Sequence, residues 1–120
     1  MTDGKLTDVK LIVGGSLEDD AAAFVKAWHR AEKDEEVSER AIVFESWDAL
    51  SKVLTGERYR LLKYVHAHPA PSISALARSL GRQYRRVHAD VVALETVGLL
   101  ERSEGAVCAT ADTLKADIRL

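Results

Sequence analysis

SISALARSLGRQYRRVHADVVALETVGLLERSEGAVCA, residues 72 to 109, decides the fold. Ser74 is a good N-cap, so a short helix can start there and run to Leu80. Leu76, Ala77 and Leu80 fall on one face of it. Gly81 then supplies the left-handed or open corner that a sharp helix-to-helix turn needs. The spacing predicts a longer helix from Gln83 to Val97, with Val87, Val91 and Leu94 as its buried stripe. At about 100° per residue, Arg82, Arg85, Ala89, Val92 and Thr96 point the other way, with Arg86 and His88 on the flanks. Gly98 stops the helix. Leu99 to Ser103 and Ala106 to Thr110 read as short strands joined at Glu104-Gly105, a tight-turn pair.

Helix, glycine corner, helix with an arginine-rich outer face, then hairpin is the order of a winged helix-turn-helix. The stretch ALARSLGRQYRRVHADVVALETVGLLER resembles the helix-turn-helix of MarR-like and related bacterial and archaeal winged-helix regulators. FESWDALSKVLTGERYRLLKYVHAHPAPSIS is similar to the segment before that motif in a small family of DNA-binding regulators of about this length. Members of that family also resemble DNA-binding antitoxins encoded beside small toxins. The resemblance covers residues 44–120 well and residues 1–43 loosely. It departs at Gln83, where the family often carries Asp or Ser. A weaker cap there implies a helix start that frays slightly, or a Gln83 side chain free for a base contact.

The bounds on the whole chain agree with a small binding protein. At 120 residues it holds one domain with room for an appendage. A hydrophobic content of 47% supplies a core and argues against disorder. The net charge of −2 is not that of a generic nucleic-acid binder. The halves differ, however. Residues 1–50 carry 6 Lys and Arg against 12 Asp and Glu, a balance of −6, while residues 51–120 carry 11 against 7, a balance of +4. The second half can face phosphate and the first would be repelled by it. Cys108 is alone, which precludes an intramolecular disulfide and fits a reducing, cytoplasmic setting. The first apolar run is too short for a signal peptide, and no run approaches the ~18 apolar residues of a membrane span.

Outside the motif, Lys5 to Val13 reads as a strand closed by Gly14-Gly15. Ser16 and Asp19 make a capping-box-like start, after which Leu17, Ala21, Phe24, Val25 and Trp28 run at helical spacing to about Ala31. Asp34 to Glu39 is an acidic connector, and Ala41 to Glu45 a second strand. If the two strands are parallel, the crossover between them is right-handed. Ser46 begins another helix with Trp47, Leu50, Val53 and Leu54 on one face. Thr55 caps the next, which carries Leu61, Leu62 and Val65. Pro69 and Pro71 break the chain before Ser72. Leu114, Ala116, Ile118 and Leu120 alternate with Lys115, Asp117 and Arg119, which argues a C-terminal strand that pairs with the N-terminal strands or with another subunit.

Arg82, Arg85 and Arg86 are the sharpest candidates for function. A helix entering the major groove needs cations, and the arginine fork reads guanine O6/N7 and grips phosphate. The plainer alternative is a solvated helix face. Gln83, Tyr84, His88 and Ala89 share or flank that surface, with Tyr84 read first as half-core packing and only second as a phosphate contact. Ser72 and Ser74 offer hydroxyls and free N–H groups at a helix start, a usual phosphate anchor. Arg102 at the base of the wing can reach a backbone phosphate, whereas Glu104 at its tip has the wrong sign for the minor groove. His66 and His68 lack the third and fourth ligands of a metal site, and His29 and Cys108 lie far from them in sequence. Cys108 reads as a small half-buried strand residue rather than a redox sensor. Gly14-Gly15-Ser16 is only a faint phosphate loop, without lysine. Trp28 and Trp47 read as core or interface.

The expectation is an α+β chain: a β-α-β extension over residues 1–45, for dimerisation or partner binding, followed by a winged helix-turn-helix domain over residues 46–120. The expected function is sequence-specific double-stranded DNA binding in transcription regulation, as a homodimer on an inverted repeat, without catalysis, cofactor or metal. The rival is an antitoxin that shares this DNA-binding half and uses its acidic half to hold a small protein toxin. An enzyme or ligand sensor would rest on Gly14 to Ser16 alone.

Overall fold

The computed structural model describes residues 7–14 and 39–120. Its elements are β1 (Thr7–Val13), β2 (Glu39–Phe44), α1 (Trp47–Val53), α2 (Gly56–Ala67), α3 (Ile73–Leu80), α4 (Tyr84–Thr96), β3 (Leu100–Ser103), β4 (Ala106–Ala109) and β5 (Ala111–Ile118). They divide into two compact units, one of Met1–Ser51 with Ala111–Leu120 and one of Lys52–Thr110. The helix expected over Leu17–Ala31, with Trp28 and the crossover it would make, lies outside the described residues.

The first unit is built on a parallel sheet of order β2-β1-β5. β1 sits in the middle, and its Val9, Leu11, Ile12 and Val13 are all buried. Val9, Leu11 and Val13 bury one face of the strand, while the other buries Ile12 and carries the part-exposed Asp8 and Lys10. The C-terminal strand thus finds its partner within the chain, in β1, and not by default in another subunit. It also starts at Ala111, earlier than the alternation beginning at Leu114 suggested. A boundary at residues 45/46 would put this strand with the second half, but its ladder to β1 assigns it to the first unit. Residue order cannot show such a return, because the pairing spans nearly the whole chain. Ser46 caps α1 by accepting from the Ala49 N–H at 3.2 Å, as expected. Trp47 does not join Leu50 in burial, being 57% exposed.

The second unit follows the expected pattern closely. Thr55 accepts from the Arg58 N–H and caps α2, which buries Leu61, Leu62 and Val65. Pro69 and Pro71 follow the end of α2. Between them Ala70 forms an antiparallel bridge with Val107, through N–H···O bonds of 3.0 and 2.7 Å. That bridge adds a third backbone segment to the β3-β4 hairpin, so the hairpin is attached to the chain between α2 and α3. At the hairpin tip Glu104 and Gly105 take φ of 53° and 88°, the left-handed pair of a type I′ turn. Buried Ile73, Leu76, Ala77, Val87, Val91, Leu94, Leu99, Leu100 and Val107 form the core between helices and hairpin.

Candidate nucleic-acid interface

The corner between α3 and α4 is made by backbone chemistry. Gly81 has φ 65° and ψ 35°. Its N–H donates to Arg78 C=O at 3.2 Å, and the Arg82 N–H donates to Ala77 C=O at 3.0 Å. This is the Schellman pattern, and the left-handed residue it requires is glycine because a Cβ would be strained there. α4 ends the same way: Gly98 donates to Glu95 C=O and Leu99 to Leu94 C=O, with Leu94 and Leu99 both buried.

The start of α3 differs from expectation. Ser72, in extended conformation, is the N-cap and accepts from the Ala75 N–H at 3.0 Å. Ser74 lies inside the helix and is exposed. The reason is burial: Ile73 is only 7% exposed, and helical geometry at 73 aligns it with Leu76 and Ala77. Ser72 therefore spends its hydroxyl on the cap, while Ser74 keeps one turned outward. At the start of α4 Gln83 makes no side-chain cap bond.

The arginines separate into two groups. Arg82 is not free on the outer face as its spacing suggested. It pairs with Asp90 at 2.8 Å and with Glu57 at 3.2 Å, and its side chain is 21% exposed. Asp90 is 9% exposed and also receives Arg58 Nε at 3.0 Å. Arg58 in turn donates to the C=O groups of Lys52 and Val53, at the end of α1. Glu57 is shared with Arg60, which donates to it at 2.6 Å. That hydrogen bond first, and the Arg82 charge second, hold the Glu57 carboxyl below its ordinary range. The buried Asp90 carboxylate, clamped by two guanidiniums, is a structural device. It removes Arg82 and Arg58 from the supply of free cations.

Arg85 and Arg86 are exposed on α4 and Arg78 is exposed on α3, and none of the three forms an ion pair among the described residues. Gln83, Tyr84, Ala89, Val92 and Thr96 are exposed beside them, and His88 is half-buried. Tyr84 is 52% exposed and does not pack in the core, and its ring lies 5.8 Å from that of His88. A groove of about 380 Å³ at the corner is lined by Ser74, Ala77, Arg78, Gly81, Arg82 and Tyr84. Arg102 leaves β3 to form a two-pronged pair with Glu95, its Nη2 at 2.9 Å from Oε1. Glu95 keeps the Arg102 charge more tightly protonated and occupies it.

Sequence reading missed Arg78 and Asp90. Arg78 stands four residues after Ser74, which puts the two on one helix face. Asp90 falls three residues after Val87, on the buried side of α4, where a carboxylate calls for a cation. Elsewhere, Cys108 is half-buried on β4, and His66 and His68 are exposed at the end of α2, where His68 packs on Tyr64 with ring centroids 4.9 Å apart. The described residues contain no group of three or more His, Cys, Asp and Glu placed to hold a metal, and no helix among them is long and apolar enough to cross a membrane. Gly15 and Ser16 lie outside the described residues.

Residues 53–116 match the family described as HVO_A0114. No curated protein and no solved structure matches the chain significantly.

Proposed function

The chain belongs to the HVO_A0114 family, and we propose that it is a sequence-specific double-stranded DNA-binding regulator that reads the major groove with α4 as a cytoplasmic homodimer on an inverted repeat. The observation that carries this reading is the division among the arginines. Arg58 and Arg82 are committed to Asp90, whereas Arg85 and Arg86, with Arg78 on α3, present uncommitted guanidiniums from the outer faces of a two-helix corner. Arg85 and Arg86 take base edges and adjacent phosphates; Gln83, free of capping, Ala89 and His88 line the same surface. Ser74, Arg78 and Tyr84 around the corner groove take backbone phosphate, with Ser72 contributing its cap rather than a contact. The wing contributes through Arg102 only when phosphate displaces Glu95.

The test is a fluorescence-anisotropy titration of a selected duplex at several salt concentrations. Each phosphate neutralised should contribute about −0.9 to the slope of log affinity against log salt. Affinity that does not change with salt would overturn the backbone-anchored mode.

The acidity of residues 1–50 favours one second reading, an antitoxin whose first half holds a small cationic toxin. Co-purification with the product of a short neighbouring reading frame would support it.

A further inference from the structure

We infer that β5 is a self-association edge, pairing antiparallel with β5 of a second copy about a two-fold axis at Ala116. This deepens the dimeric part of the proposed function by naming its interface.

The backbone limits the possible registers. Val13 C=O accepts from the Arg119 N–H at 2.9 Å, with Val13 opposite Ile118 in the parallel ladder. In such a ladder alternate residues turn both backbone groups to the same neighbour, so 117 and 119 face β1. Leu114, Ala116 and Ile118 therefore turn their N–H and C=O groups away from β1, on the outer edge of the sheet as far as it is described. An antiparallel copy must match outward residues with outward residues, so the two-fold axis has to pass through a residue and not between two.

Charge and strand length then select among these registers. An axis at Ile118, the last residue of β5, sets Asp117 against the partner's Arg119 but leaves Leu114, Lys115 and Ala116 opposite no residue of the partner's β5. An axis at Lys115 or Asp117 sets like charges against each other. An axis at Leu114 leaves Lys115 opposite Thr113. An axis at Ala116 sets Lys115 against the partner's Asp117, twice by symmetry, and Leu114 against the partner's Ile118.

Both faces of the sheet continue across this junction. On one, Lys115 lies 3.9 Å from Asp8 and Asp117 lies 4.0 Å from Lys10. A second copy extends these pairs into a row that alternates in sign: Asp8, Lys115, the partner's Asp117, the partner's Lys10. On the other face Val9, Leu11 and Val13 stand opposite Leu114, Ala116 and Ile118. The β1 residues are at most 4% exposed, yet Ile118 is 46% exposed. The copy completes an apolar row of Val13, Ile118, the partner's Leu114 and the partner's Val9. A strand with this pattern left open would be an aggregation hazard.

The experiment uses the full chain with Cys108→Ala, carrying either Lys115→Cys or Asp117→Cys, under mild oxidation without DNA. Positions 115 and 117 face each other as a non-hydrogen-bonded pair, about 4.5 Å between Cα atoms, within disulfide reach. Two copies of the same position lie on a diagonal of about 7–8 Å, beyond it. The expected result is a covalent dimer in the mixture of the two variants and little in either alone. The substituted side chains are on the open edge, and circular dichroism confirms that the fold is kept. Lack of a crosslink in the mixture, whatever the mass in solution, overturns the interface, as does equal crosslinking in each variant alone. Because no DNA is present, failure here leaves the role of α4 unaffected, and failure of DNA binding leaves this interface unaffected.

Discussion

Arg82, in the corner between α3 and α4, is ion-paired at 2.8 Å to Asp90, eight residues further along. The same carboxylate takes Arg58 from α2 at 3.0 Å. One acidic side chain thus fixes the pitch of α4 against the scaffold helix and the corner that precedes it. The cations it uses cannot also serve DNA without leaving a carboxylate largely buried and unpaired.

Asp90→Ala should therefore destabilise the protein by roughly 2–4 kcal/mol, below the ~3–5 kcal/mol of a fully buried pair because both guanidiniums keep some solvent contact. Asp90→Asn should cost less, since the amide oxygen still accepts one bond. Urea denaturation of the full chain measures both. A variant as stable as wild type would remove the network from any structural role.

Arg85→Ala and Arg86→Ala should leave the urea midpoint unchanged and weaken binding to the selected site by roughly 1–3 kcal/mol, each relaxing preference at one base position. Arg82→Ala should do the reverse, losing stability first, because its partner Asp90 is left buried. Val91→Asp should unfold the motif, since Val91 is 0% exposed. Parallel denaturation and anisotropy curves separate the three behaviours.

Glu95→Gln should free Arg102 from its two-pronged pair. The expected outcome is tighter binding to all duplexes alike and a log–log salt slope steeper by about 0.9. No change in slope would mean that Arg102 does not reach phosphate even when released.

The α3–α4 pair, its corner and the hairpin were legible because local rules govern them. Val87, Val91 and Leu94 sit at helical spacing, Gly81 permits the Schellman corner, and Glu104-Gly105 permits the hairpin. What could not be read depended on distant partners. Ser72 displaced Ser74 as the cap because Ile73 packs in the core. Arg82 looked free because nothing in its spacing announces Asp90 and Glu57 together. β5 showed its period but not its partner, since pairing with β1 closes over the whole second unit.

Glu57 gives the fold a dependence on acid. Its carboxyl is held below the ordinary value of 4.5 by the hydrogen bond from Arg60, then by the charge of Arg82. A lowered folded-state value means that the stabilisation is present above pH 4.5 and is lost as pH falls through the lowered value. Wild type should thus melt above Glu57→Gln at neutral pH, with the gap closing on acidification. Calorimetric scans across that range check the sign, and a gap that widens in acid would contradict it.

The most direct test of α4 as the reading element is selection from random duplex DNA, run side by side on the wild-type chain and the Arg85→Ala/Arg86→Ala double variant, with bound sequences counted after several rounds. Wild type should enrich an inverted repeat whose half-sites are centred about 34 Å apart, or a multiple of that, and the double variant should lose the preference at the guanine positions while keeping residual salt-sensitive binding. Enrichment of the same motif to the same degree by both proteins, or of no motif by wild type, would contradict it.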